Sequence, residues 1–132
     1  MSWNGVKKQS NIEDIKSWCD EMGIEYYTIN SKGEIDVDAC VNLDHRDFKE
    51  LPYKFGKVTG YFSLDNCENL ISLKNCPNYI NMSFYSNNCI NLVSLEGCPQ
   101  EVGGTFSIRG SKKNFSKKYI GKICNVSRLI II

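Results

Sequence analysis

Val58-Thr-Gly-Tyr-Phe62-Ser-Leu64-Asp-Asn-Cys67-Glu-Asn-Leu70-Ile-Ser-Leu73-Lys-Asn-Cys76-Pro77 is followed by Ile80-Asn-Met-Ser-Phe84-Tyr-Ser-Asn-Asn-Cys89-Ile-Asn-Leu92-Val-Ser-Leu95-Glu-Gly-Cys98-Pro99. Each anchor advances by 22 residues: Val58 to Ile80, Phe62 to Phe84, Cys67 to Cys89, Leu70 to Leu92, Leu73 to Leu95, Cys76 to Cys98, Pro77 to Pro99. So many coincidences at one period mark stacked structural repeats, in which each unit buries its apolar face only against its neighbours. A third copy starts on schedule at Val102, Phe106 and Ile108 and then decays. An earlier one precedes them at an offset of 21, with Val37, Ala39, Val41 and Leu43 under Val58, Gly60, Phe62 and Leu64. Its tail realigns at 22, Phe48 under Leu70 and Leu51 under Leu73, so one residue is missing from the turn between. The chain therefore contains about four coils.

Within a coil, Val58, Phe62 and Leu64 have the spacing of a half-buried strand. A polar turn follows at Asp65-Asn66, Asn87-Asn88 and Arg109-Gly110. Its second column, Asn66, Asn88 and Gly110, suits a backbone with positive φ, and Asn75 with Gly97 forms another such column. Pro77 and Pro99 then bar a continuing helix and turn the chain back toward the next strand. Leu70, Leu73, Leu92 and Leu95 point inward from the returning arm.

The phrase Phe62-x-Leu64-x-x-Cys67-x-x-Leu70 resembles the strand-and-turn segment of leucine-rich repeats, with Cys67 and Cys89 where that family places Asn or Cys. The resemblance covers residues 37–115. Ser94-Leu-Glu-Gly-Cys-Pro99 and Val102-Gly-Gly-Thr-Phe106 are similar to phrases in short leucine-rich-like proteins of bacteriophages. It implies a parallel sheet whose outer face binds other proteins and, from the phage likeness, an accessory role against a host factor such as a defence system. The return arm is too short for a full helix, so a short, straight solenoid is expected.

The flanks read as caps. Asn11 is placed to cap a helix carrying Ile12, Ile15, Trp18, Cys19 and Met22 on one face, with Gly23 as its stop. Residues 24–29 and 34–37 flank Asn30-Ser-Lys-Gly33 as a hairpin. Asn114 to Lys122 read as a short basic helix pressing Phe115, Tyr119 and Ile120 on the last coil, and Val126 to Ile132 as a final strand that must be packed or paired. The expected fold is β-rich (α+β): a single domain over 1–132, with an N-terminal helix-hairpin cap (11–36), a short parallel β-solenoid of about four repeats (37–111) and a C-terminal helix-strand cap (112–132).

Composition narrows the chemistry. The chain has 132 residues, a net charge of +1 and no apolar run of membrane-spanning length. Residues 1–10 are polar, without the apolar stretch of a secretory signal, so a cytoplasmic protein is expected. Seven cysteines, an odd number, fit reduced thiols filling inward corners better than a disulfide framework. Cys-x2-Cys is absent, and the spacings of nine and thirteen follow from the repeat, so no metal or cofactor is expected. His45, the lone histidine, falls in the exposed turn of the first coil. Asp36, Asp38, Asp44 and Asp47 lack the spacing of a calcium loop, and Gly103-Gly104 lacks the Gly-Lys-Ser/Thr of a phosphate loop. Catalysis is not expected.

What remains is a surface. Between the inward positions stand Asp38, Cys40, Asn42; Thr59, Tyr61, Ser63; Asn81, Ser83, Tyr85; and Thr105, Ser107, Arg109, expected outward on one polar face. Tyr61, Tyr85, Arg109, Asn81, Lys112 and Lys113 are the candidate partner-binding residues, since Tyr and Arg are common binding anchors. Charge is divided: residues 1–101 hold 9 basic and 15 acidic side chains, whereas 102–132 hold 7 basic and none acidic. The expected function is a non-catalytic protein-binding module, its cationic end steering an acidic partner. The alternatives are nucleic-acid binding through Lys112, Lys113, Lys117, Lys118 and Lys122, or a structural role in a particle or homo-oligomer.

Overall fold

The computed structural model describes residues 3–132, with side chains described from Ile12 onward. Helix α1 (Trp3–Glu21) ends as its sequence demands. Gly23, at φ +73°, donates to Asp20 O, and Ile24 donates to Cys19 O, closing the last turn while Ile24 and Cys19 are buried together. The expected cap at Asn11 is a side-chain role and lies outside the residues whose side chains are described. Ile15, Trp18, Cys19 and Met22 face the core, but Ile12 is 44% exposed. Trp18 packs against Phe48, Tyr53 and Phe55, sealing one end of the interior with aromatic edges.

The hairpin follows as β1 (Tyr27–Ile29) and β2 (Ile35–Val37), antiparallel with Tyr27 opposite Val37. Asn30 makes the turn: its Oδ1 accepts from the Lys32 and Glu34 amides, and Gly33 takes φ +79°. Thereafter each coil contributes a pair of short strands: β3 (Val41–Asn42), β4 (Phe55–Val58) with β5 (Phe62–Ser63), β6 (Tyr79–Ile80) with β7 (Phe84–Tyr85), and β8 (Glu101–Val102) with β9 (Thr105–Ser107). After α2 (Lys117–Ile123) come β10 (Asn125–Val126) and β11 (Leu129–Ile131). Two sheets result, ordered β1-β2-β4-β6-β8-β10 and β3-β5-β7-β9-β11, parallel throughout except for the hairpin. The protein is a parallel β-solenoid of about four turns.

The single strand expected from Val58 to Leu64 is therefore corrected to two strands meeting at a corner. Val58 and Phe62 are both buried, yet they belong to different sheets because the chain bends between them. Gly60 sits in that corner, where a Cβ would stand 2.6 Å from the Cys40 amide nitrogen. The third arm, residues 64–77 in one coil, carries no strand but points Leu70 and Leu73 fully into the core.

Register follows the sequence offsets. Val37 pairs with Val58 and Val41 with Phe62 across 21 residues, and Phe62, Phe84 and Phe106 stack across 22. The phenylalanine centroids are 6.3 and 5.1 Å apart, and all three rings are fully buried. Each such ring withdraws roughly 2–3 kcal/mol worth of apolar surface from water. The third-arm realignment also holds, for the Ile71 amide donates to Lys49 O, 22 residues earlier.

The corner after each second-sheet strand has positive φ at His45 (63°), Asn66 (61°), Asn88 (58°) and Gly110 (79°), and the later corner at Asn75 (73°) and Gly97 (84°). At the former, side chains hold the next rung: Asp44 Oδ1 accepts the Asp65 amide (2.8 Å), Asp65 Oδ1 the Asn87 amide (2.8 Å), and Asn87 Oδ1 the Arg109 amide (2.9 Å). These bonds satisfy amides just beyond the strand ladder. At the far end Ser116 caps α2, accepting from the Tyr119 amide at 3.1 Å. Phe115 and Ile120 are buried as expected, whereas Tyr119 is 46% exposed, stacked over Phe115. The expected final strand is likewise two strands, β10 and β11, one per sheet.

Candidate binding surface

The outer side of the second sheet is built from two columns. One runs Tyr61, Ser83, Thr105, Leu129; the other Asn42, Ser63, Tyr85, Ser107, Ile131, each fixed by the parallel register. Strand alternation sends these side chains away from the phenylalanine stack. Tyr61 and Tyr85, on adjacent rungs and offset columns, meet edge to face with centroids 6.3 Å apart. Serine and threonine surround them, so the two rings form a ridge on an otherwise low surface.

Ser63 and Ser107, expected as outward-facing surface, are only 4% and 3% exposed. Each hydroxyl donates to a neighbouring corner side chain, Ser63 to Asp44 Oδ1 and Ser107 to Asn87 Oδ1, both at 2.6 Å. Asn87 is thereby held by both the Ser107 hydroxyl and the Arg109 amide, which fixes the backbone from which the exposed Arg109 side chain projects.

The candidate residues do not share one face. Tyr61 and Tyr85 lie on the second sheet, with Arg109 at its edge in the turn with Gly110. Asn81 sits at the corner between sheets, exposed, its amide donating to Val58 O. Lys112 and Lys113 lie beyond Gly110 on the third arm, where the Lys113 amide donates to Leu92 O and its ammonium stands 5.7 Å over the Phe115 ring. Sequence reasoning missed Leu129, 52% exposed, and Ile131, which continue the tyrosine face. Their alternation was visible, but the rung repeats at 24 residues from Thr105 and Ser107 rather than at 22.

Among the described residues the one ion pair is Lys74 with Glu50, 3.9 Å apart, so no cation of residues 102–132 is ion-paired with a described carboxylate. Asp36 and Asp38 are spent locally, accepting from the Lys57 amide and the Thr59 hydroxyl. His45 is exposed at its strained turn. Among the described residues, no three His, Cys, Asp or Glu side chains come together as a metal site, and no helix is long and apolar enough to cross a membrane.

All seven cysteines are free, and only Cys40 is exposed. Cys67 and Cys89 fill the inward corner, donating to Leu43 O and Leu64 O. Burial pushes the Cys67 thiol up to about 12 and raises that of Cys89, even though Ser86 Oγ lies 3.1 Å from its sulfur. Such thiols stay protonated, the reverse of what a nucleophile needs. Lys54 is half-buried, donating to Cys76 O and Asn78 Oδ1, and burial lowers its pKa. These polar groups tie rung to rung. Comparison with protein-family models, with curated proteins and with solved structures found no match to this chain.

Proposed function

We propose that this solenoid is a non-catalytic module that binds another protein through the outer face of its second sheet. The observation that carries the reading is the Tyr61–Tyr85 pair, a preformed aromatic ridge standing among small hydroxyl side chains. Two rings already packed together lose little conformational freedom on binding, and tyrosine offers both apolar area and a hydroxyl. Arg109 at the edge, on a backbone held by Asn87, supplies a planar donor for a partner carboxylate. The cationic segment 102–132 speeds encounter with an acidic partner, and bound partner surface is occluded from its other contacts.

The resemblance of residues 37–115 to leucine-rich coils supports the choice of sheet face, and the phage-like phrases point to host proteins as the pool in which to look. The test is affinity capture from host lysate with the wild-type chain and with a Tyr61→Ala/Tyr85→Ala double variant. A stoichiometric partner retained by the first and lost by the second is the expected result. A partner captured equally by both, or none at all, refutes the reading. Nucleic-acid binding is the competing reading, favoured by the unpaired cations of residues 102–132. It requires a gel shift that weakens steeply with salt and ignores the tyrosines.

A further inference from the structure

Two cysteines stand apart from the rest in what their sulfurs face. Cys67 and Cys89 donate to main chain, at Leu43 O and Leu64 O, and Cys76 is fully enclosed. The thiols of Cys98 and Cys124 are instead hydrogen-bonded to each other. Backbone contacts bring them together. Cys98 ends the third arm of its coil, its amide donating to Leu95 O at 2.9 Å, and Cys124 ends α2, its amide donating to Ile120 O at 2.9 Å. Just beyond, the Asn125 amide donates to Gln100 O at 2.8 Å, and Asn125 pairs with Glu101 in the first sheet. Both cysteines therefore sit where a third arm re-enters that sheet, on adjacent rungs about 4.8 Å apart. The register sets Cys124 opposite Gln100, two residues past Cys98; the chain bends at Gln100, and the two side chains span the offset. Cys98 is partly exposed and Cys124 only 2% exposed, so a small reagent reaches the pair from the Cys98 side.

We propose that Cys98 and Cys124 are a reversible oxidation site, a dithiol that a hydroperoxide converts into a disulfide stapling the end of α2 to the preceding coil. One sulfur attacks a peroxide oxygen and becomes a sulfenic acid, and the departing oxygen leaves as water with the thiol proton. The second sulfur then displaces the sulfenic hydroxyl, which takes the second thiol proton and leaves as water, and the S–S bond forms. Each sulfur gives up one electron, and the peroxide is reduced to two waters. Cys124 supplies the first thiolate: the hydrogen bond from Cys98 lowers its pKa against the opposing effect of burial, while the same bond, together with burial, raises that of Cys98. The disulfide closes a loop containing all of α2, a helix of seven residues that is too short to hold its shape without tertiary support. Oxidation thus fixes the basic cap, with its exposed Lys117, Lys118 and Lys122, onto the end of the solenoid.

The test is titration with hydrogen peroxide of the full chain carrying Cys40→Ser, which removes the exposed thiol. The product is about 2 Da lighter, for the two hydrogens lost. Trypsin with a glutamate-specific protease then releases residues 97–101 linked to residues 123–128, a species that dithiothreitol separates. The thermal unfolding midpoint rises by about 10 °C on oxidation and returns on reduction. Native-state trypsin cleavage at Lys117, Lys118 and Lys122 slows by about tenfold. Adding Cys98→Ser, at the more exposed of the two positions, abolishes the mass change, the linked species and the stabilisation. Linkage of 97–101 to a fragment holding Cys76 or Cys89 overturns the proposal, as do sulfinic acid at either sulfur without a linkage and disulfides only between chains. A correctly linked chain whose midpoint and cleavage rate do not move overturns the staple.

Discussion

Replacing Gly97 with alanine tests the rung-on-rung geometry at its tightest point. Gly97 has φ +84°, and a Cβ there would run into the Leu73 carbonyl and the Lys74 Cα of the preceding coil. Gly33, in the hairpin turn, has nearly the same conformation, φ +79°, but nothing within 4 Å of the same built atom. Gly33→Ala thus measures the left-handed backbone cost alone, about 1–2 kcal/mol. Gly97→Ala carries that cost plus the displacement of backbone in the adjacent coil, about 1–3 kcal/mol more by analogy with overpacked cores. The obstruction is main chain, so no side-chain rotation relieves it. Urea unfolding followed by far-UV circular dichroism reads both variants as midpoint shifts at constant slope. A loss for Gly97→Ala no larger than for Gly33→Ala would show that the coils do not approach as described.

Phe84→Ala, removing the middle ring of the phenylalanine stack, costs about 3–5 kcal/mol in the same assay, and a loss under about 2 kcal/mol contradicts a shared packed interior. Ellman's reagent labels Cys40 rapidly in the native chain, while Cys67, Cys76 and Cys89 react only after denaturation; fast labelling of all of them would refute the corner packing. Stability declines above about pH 9. Burial raises Cys19 to about 11 and Cys67 to about 12 from an ordinary 9.0, and raises Cys76 and Cys89 as well. The folded state keeps protons that the unfolded chain releases, so this stabilisation is complete below pH 9 and drains as pH climbs through the folded values. The slope is about 1 kcal/mol per pH unit for each such thiol, and urea midpoints at pH 8 and 10 that coincide would contradict it.

The period, the 21-residue offset and both positive-φ columns were legible because they depend on residue type at fixed spacing. Asn and Gly announce a left-handed corner wherever they recur. The division of each expected strand was not legible. Val58, Gly60, Phe62 and Leu64 keep one alternation, and a bend at Thr59-Gly60 leaves Val58, Phe62 and Leu64 all facing the same interior. Solvent exposure of Ser63 and Ser107 was misjudged for a related reason, since their cover comes from a neighbouring rung. The tyrosine ridge was half legible: the sequence placed Tyr61 and Tyr85 on one side, but only the register brings their rings together. Lys112 and Lys113 were grouped with them because linear spacing does not reveal a corner at Gly110.

The carboxylate and amide side chains that reach from Asp44 to Asp65, from Asp65 to Asn87 and from Asn87 to Arg109 bear on how such a chain can change length. Insertions within the paired segments would slide every later grip out of phase. The missing residue falls between His45 and Lys49, and α2 with its two additional residues occupies the strandless third arm before β10. Changes of length thus gather on the third arm, and the first sheet absorbs one of its own as an irregularity between β2 and β4, where Ile35 pairs with Phe55 but Val37 with Val58.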